Sequence, residues 1–529
     1  MTSPEGNLVG IDLGTTMSVV AHVDSSGRAT TLTNREGDPL TPSVVYLDGN
    51  EAIVGKSAKA AAAHHPDKVA SLFKRSMGAV LHGRMVDGRS LRPETLSAIV
   101  LRKLRNDAER RIGPISKAVI TVPAFFDDAR RRATEIAGRI AGLDVLEIVN
   151  EPTAAGLAYC LQDRFASPGA ASRFLGPGQS FTGLVYDLGG GTFDVTVVRL
   201  SDRGFETVAT DGEVQLGGKD WDDVIVDYIA RQFREQYKID PRTDASWRDA
   251  IGGLAESTKM LLSQLSSAPL ETSYNNHVVK TMLTRKTFEE SSRDLLTRTR
   301  FVTRLVASEQ AKLGWEQIDK VLLVGGSTRM PMVRQMLADA TGKEPDDSLD
   351  PDQVVAHGAA LYATLLGAQA GIKELPLDDD VRRRLCHVEV VDVNSHSLGV
   401  AVTDRRTGQK LNHIMIPKNS PLPVAASKVF VLPKAGQKQV RISVLEGEAP
   451  EAAANITVGD CLVRDLPDDL PASSPIQVRL SFGCNGRVNV MALDMSSGKL
   501  VQTDLEQKRT LTDAEIQQEA EFVDGLKIH

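Results

Sequence analysis

Leu184-Val185-Tyr186-Asp187-Leu188-Gly189-Gly190-Gly191-Thr192-Phe193-Asp194 is an apolar run that ends in aspartate and opens into three glycines and a threonine. A variant of the same device stands near the start, Leu8-Val9-Gly10-Ile11-Asp12-Leu13-Gly14-Thr15-Thr16. A third glycine-rich turn, Gly325-Gly326-Ser327-Thr328-Arg329, follows Val321-Leu322-Leu323-Val324. Glycine lets backbone N–H groups approach a phosphate closely, and aspartate at a strand end can hold a hydrated cation beside it. Two such hairpins predict a duplicated lobe that clamps one nucleotide from both sides.

With 529 residues, 41% of them hydrophobic and 25% charged, the chain is long enough for two or three domains. A net charge of −7 argues against a nucleic-acid surface. The runs Arg130-Arg131-Arg132 and Arg382-Arg383-Arg384 follow aspartates and read as locally neutralised, solvated surface. Cys160, Cys386, Cys461 and Cys484 lack metal-ligand spacing and read as reduced thiols of a cytoplasmic protein. No apolar run is long enough to span a bilayer, and the first strand starts within a few residues of Met1, so neither membrane anchor nor leader is expected.

Periodicity predicts helices over 94–111, 128–142, 219–235, 247–265, 287–313 and 352–366, interleaved with strands such as 145–149, which is the pattern of an α/β domain over 1–371. A polar, charged region over 372–387 reads as a linker. Beyond it short strand-like runs, 388–393, 440–444, 476–480 and 488–490, predict an antiparallel β-sandwich over 388–510. Thr512 and Glu515 form a capping-box signature for a helix running to Val523 and stopped by Gly525, within a last segment 511–529.

Six blocks in register carry a family resemblance: Asp12-Leu-Gly-Thr-Thr16, Thr121-Val-Pro-Ala-Phe-Phe126, Asn150-Glu-Pro-Thr-Ala-Ala155, Asp187-Leu-Gly-Gly-Gly-Thr-Phe-Asp194, Leu216-Gly-Gly218 and Val324-Gly-Gly-Ser-Thr-Arg-Met-Pro331. Together with Ser397-Leu-Gly399 and Val444-Leu-Glu-Gly-Glu448 they resemble the DnaK-type, 70-kilodalton heat-shock chaperones. The resemblance implies an actin-like ATPase domain, ribonuclease H-like and duplicated, joined to a β-sandwich that binds extended hydrophobic segments of unfolded polypeptide. It implies ATP/ADP and Mg²⁺ as cofactors, with K⁺ as a further candidate ion. Asp12 and Asp187 would hold Mg²⁺ through water; Gly14, Thr15, Thr16, Gly189, Gly190, Gly191 and Thr192 would cradle phosphates, with Gly217 and Gly218 beside them. Lys74 matches the family lysine that positions the attacking water, and Glu151 and Asp194 match carboxylates that order water near the metal. Glu256, Lys259 and Ser263, on one helical face, match contacts to ribose and base, and Gly325, Gly326, Ser327, Arg329 and Asp352 complete that pocket. Pro123, Arg131 and Asp392 match positions that relay nucleotide state to the sandwich. Val400, Phe430, Val440 and Ile442 match a peptide groove, although the same four residue types would suit an ordinary sandwich core.

Four features depart from the family pattern. The large helical lid is reduced to the one short helix at Thr512, which reads as a lid remnant. The lobe between Arg75 and Pro93 is trimmed. Glu147 stands where bacterial members carry an arginine that helps dock J-domain partners, so a J-domain co-chaperone meets a reversed charge, while a nucleotide exchange factor remains an implied partner. Glu389 interrupts the hydrophobic linker, and burying its carboxylate on docking would be costly. The segment 162–182 reads as an extra loop without an assigned role. An ATP-switched scaffold for one dedicated partner is the alternative to a chaperone, and a sugar kinase or actin-like filament protein is a more distant one.

Overall fold

In the computed structural model, the described residues are 6–529 apart from 84, 167–179, 202–203, 373–374, 376, 378, 380–381, 384–387, 405, 433, 465, 468–469, 484–486, 497, 499 and 505–510. The expected loop 162–182 and linker region 372–387 fall largely outside them.

Both glycine-rich hairpins are built the same way. Asn7–Asp12 runs parallel to Ile115–Val122 on one side and antiparallel to Met17–Val23 on the other. Phe181–Leu188 runs parallel to Lys320–Val324 and antiparallel to Phe193–Ser201. Each hairpin forms the centre of its own lobe sheet, and the strand ends bring Asp12 and Asp187 to a shared cleft. The near-continuous apolar character of these strands follows from burial on both faces. Two helices, Glu151–Ala166 and Val354–Gln369, pack on each other and on the two sheets. Their Ala154, Ala155, Ala359 and Ala360 share one core with Val185, Leu322 and Val324 of the second sheet. Small residues permit this approach: a β-carbon on Gly358 would lie 1.7 Å from the Ala154 carbonyl oxygen.

Other elements fall close to the sequence expectations. Helices form over Pro93–Ile112, Asp128–Ile140, Gly218–Tyr237 and Ala245–Gln264. The stretch expected as one helix over 287–313 is instead broken at Ser292 and passes into a π-helical turn over Leu305–Gln310. Among the described residues the sandwich consists of two four-stranded antiparallel sheets. One contains Leu398–Thr403 and Val440–Glu446, and the other Val424–Val431 and Pro475–Phe482.

Two expectations are corrected. The strand Glu389–Val391 belongs to the N-terminal two-lobed half, where it extends the second lobe's sheet by pairing in parallel with Gly204–Glu213. Alternation along this edge leaves Glu389 exposed while Val390 packs on the core, so docking buries no carboxylate at 389. The helix Asp513–Asp524 does have the expected capping box, but it lies on the first lobe rather than over the sandwich. Ile516 and Val523 enter that lobe's core, Thr95 donates to Glu519 at 2.7 Å, and Arg102 pairs with Asp524. Lys527–Ile528 then adds a parallel strand to Glu51–Val54.

Candidate active site

The floor of the cleft is a cluster of four carboxyls around one buried ammonium. Lys74 is 2% exposed, and its Nζ donates to Glu151 Oε1 at 2.5 Å. Glu151, Asp187 and Asp194 are buried and Asp12 is half-buried. Asp12, at its strand end, accepts from Thr121 Oγ1 at 3.1 Å. Asp194 accepts from the backbone N–H groups of Ala124 and Phe125, both at 3.2 Å. Asp187 Oδ2 is buried without a hydrogen-bond partner.

Loss of solvent, then the charge of Glu151, pushes Asp12 up to about 7 and Asp194 up to about 8, with Lys74 opposing both shifts. Burial and the neighbouring Glu151, Asp194 and Asp12 carry Asp187 well above the carboxylate range. A site with this much uncompensated negative charge suits a hard, oxygen-seeking cation. The orphaned oxygen of Asp187, with Asp12 nearby, fits Mg²⁺ held by two carboxylates.

The glycine loops are pressed against the opposing hairpin. A β-carbon on Gly190 would lie 2.4 Å from the Thr16 side chain, and one on Gly191 would lie 2.5 Å from that of Thr15. Gly14 offers its carbonyl to Ser43 Oγ at 2.7 Å, and Thr192 is buried beside the cleft. Gly325 has φ +82°, a conformation that favours glycine, and turns the chain so that Ser327 Oγ can donate to the Gly189 carbonyl at 2.9 Å. Gly217 caps the helix Gly218–Tyr237, and the Gly218 carbonyl accepts from Lys259 Nζ at 2.8 Å.

On the expected adenosine side, Lys259 also pairs with Asp222 at 2.8 Å. Glu256 meets Lys59 of the first lobe at 2.5 Å, closing the mouth of the cleft. Arg329 is held by Asp350 and Asp352, each at 2.7 Å, beside Gly326. Ser263 differs: its hydroxyl donates to the Lys259 carbonyl at 3.1 Å, within its own helix.

Arg75 is a cleft residue that no motif marks. It reaches across to Asp220 at 2.5 Å and to the Gly191 carbonyl at 3.0 Å. Its place next to Lys74 is the one signal the sequence offers.

The structure also brings together the residues expected to relay nucleotide state. Pro123 begins the turn that presents Ala124 and Phe125, and its carbonyl accepts from Phe126 N at 3.1 Å. Arg131 binds the Asn150 side chain and the Ile148 carbonyl. Asn150 and Thr153 donate to Asp392 Oδ2 at 2.9 and 3.1 Å. From the sandwich, Ser395 Oγ donates to the Ala124 carbonyl, and His396 Nε2 lies 3.2 Å from the Phe125 carbonyl. Val400, Phe430, Val440 and Ile442 share one apolar cluster in the sandwich; Val400 and Ile442 are buried, whereas Phe430 and Val440 are only partly so.

Two facing lobes around a carboxylate-lined cleft, docked on a β-sandwich, define a nucleotide-operated two-domain machine. The Hsp70 protein family model matches residues 8–87 and 83–524, and the chain belongs to that family of ATP-dependent molecular chaperones. The chaperone protein DnaK of Thermotoga petrophila is 38% identical over 501 residues, covering 93% of this chain and 79% of the relative. DnaK of Thermosipho melanesiensis is 37% identical over 507 residues, covering 94% and 80%, and that of Thermosipho africanus is 36% identical over the same length and shares.

Proposed function

We propose that this chain hydrolyses ATP in the cleft between its lobes and uses the change to bind and release extended apolar segments of unfolded proteins on the sandwich. The observation that carries this reading is the short path from cleft to sandwich. Asp194 holds the N–H groups of Ala124 and Phe125, and the carbonyls of the same two residues face Ser395 and His396. A change of charge at Asp194 therefore acts on the peptide units that the sandwich grips.

Within the cleft, Thr15, Thr16 and the amides of Gly189 to Gly191 would orient the phosphates. Lys74 would offset charge on the transferring group, and Glu151 would hold Lys74 in place. Bound Mg²⁺ supplies positive charge to the phosphates, and Asp12 and Asp187 would hold it. The sandwich cluster of Val400, Phe430, Val440 and Ile442 would supply apolar contacts to the peptide. Unfolded segments, an exchange factor and a J-domain protein are the partners this reading implies, with Glu147 as the test position for the last.

The cytoplasm is the compartment this reading implies. Among the described residues no helix is long and apolar enough to cross a membrane. Single-turnover ATP hydrolysis with and without an unfolded polypeptide tests the reading. Stimulation is expected, and a rate indifferent to polypeptide would refute the coupling.

A further inference from the structure

The sandwich meets the ATPase half through a contact between acids. Glu446 ends the strand Val440–Glu446 and is 6% exposed, while Asp127 and Asp128, at the start of the facing helix, are 5% and 2% exposed. The Asp128 backbone N–H donates to Glu446 Oε2 at 3.3 Å. Neighbouring cations are committed elsewhere. Arg130 pairs with Asp127, Arg132 with Asp128 at 2.9 Å, and Arg131 turns to Asn150 and Ile148. Lys418 of the sandwich pairs with Asp211 of the second lobe at 2.7 Å. Among the described residues no cation is paired with Glu446. A buried carboxylate without a cation, set against two acids, is disfavoured in its charged form.

We propose that the contact of Glu446 with Asp127 and Asp128 makes docking of the sandwich a proton-consuming step, so that acidity strengthens the hold of one domain on the other. Burial, then Asp127 and Asp128, drives Glu446 well above its ordinary value in the docked protein, against the Asp128 backbone N–H and the pull of Arg131. Burial also raises Asp128 and Asp392, and raises Glu147 to about 7. His396 has the opposite sign: burial lowers it, while the Phe125 carbonyl, Glu448 and Asp127 oppose that shift and Lys418 adds to it.

A carboxyl raised by docking favours the docked state at low pH. That contribution is lost progressively as pH climbs from the undocked value to the docked one. A histidine lowered by docking weakens docking only as pH falls below about 6.5, its ordinary value. Above that point the carboxyls act alone, and docking weakens as the solution becomes more alkaline.

Docking is read independently of hydrolysis, so a chain that hydrolyses ATP normally can still refute the proposal. The test is energy transfer between a donor on the ATPase half and an acceptor on the sandwich of the full chain, read with ATP and without nucleotide from about pH 6.5 to about pH 8.5. The docking constant is expected to fall by up to about tenfold per pH unit for each proton taken up. Glu446→Gln is expected to flatten this dependence and to stay docked at the alkaline end, and Asp128→Asn to shift in the same direction. Thermal unfolding followed by far-ultraviolet circular dichroism, which reads both the sandwich and the lobes, checks that each variant is folded. An unchanged pH profile in Glu446→Gln, weaker docking of that variant at the alkaline end, or no pH dependence in the unaltered protein would overturn the proposal.

Discussion

Replacing Lys74 with alanine removes the one ammonium bonded within a cluster of four acids. The side chains of Lys74 and Glu151 are 3% and 9% exposed, so solvent cannot take over the lost charge. Breaking a buried pair by deleting one partner costs about 3–5 kcal/mol. Protonation limits that cost. Asp12 and Asp194 stand at about 7 and about 8, so at lower pH fewer charges depend on Lys74. Their folded values are raised, so even the unaltered, nucleotide-free protein loses stability as pH rises from about 4 until it passes those values. The deficit of Lys74→Ala should therefore be largest above about pH 8 and shrink on acidification. Trp221, Trp247 and Trp315 all lie in the second lobe, so denaturant unfolding followed by tryptophan fluorescence reports on the ATPase half alone. Added Mg²⁺ and ADP should narrow the gap, while single-turnover hydrolysis is largely lost. A variant that unfolds at the unaltered midpoint at alkaline pH would show that the cluster does not depend on this charge.

Three further outcomes are expected. Arg75→Ala removes a charge-assisted link between the lobes worth roughly 1.5–3 kcal/mol, so nucleotide release measured by stopped flow should quicken roughly ten- to a hundredfold; an unaltered rate would deny Arg75 that role. Asp392→Ala frees Asn150 and Thr153, and should leave basal hydrolysis intact while abolishing stimulation by unfolded polypeptide; retained stimulation would place the coupling elsewhere. Binding of Mg²⁺ should release protons and tighten as pH rises from about 6 to about 8, because Asp12 must ionise to hold the ion. Calorimetry in buffers of different ionisation heat measures that release, and equal heats would contradict it.

The two hairpins are legible in the sequence because their chemistry is local: an apolar strand, an aspartate and a glycine turn occupy adjacent positions. The helices around them are legible for the same reason, each carrying its own period. Arg75 is not, because its partners Asp220 and Gly191 are far along the chain and nothing near it marks a long-range bond. Glu389 misleads because composition does not say which side of a strand a residue takes; the exposed side of an edge strand tolerates a charge. Lys527–Ile528 is too short to show any alternation, and its pairing with Glu51–Val54 depends on where the preceding helix delivers it. The acid contact at Glu446 lies between residues more than three hundred positions apart, beyond the reach of any motif.

The last segment gives the molecule the mechanics of a yoke. The sandwich is attached at both ends of its sequence, by Glu389–Val391 to the sheet of the second lobe and by residues 513–528 to the first. Rotation of one lobe against the other changes the distance between these two anchors. If one anchor lets go, the other keeps the sandwich within reach, and its return is an intramolecular event governed by the length of the remaining tether.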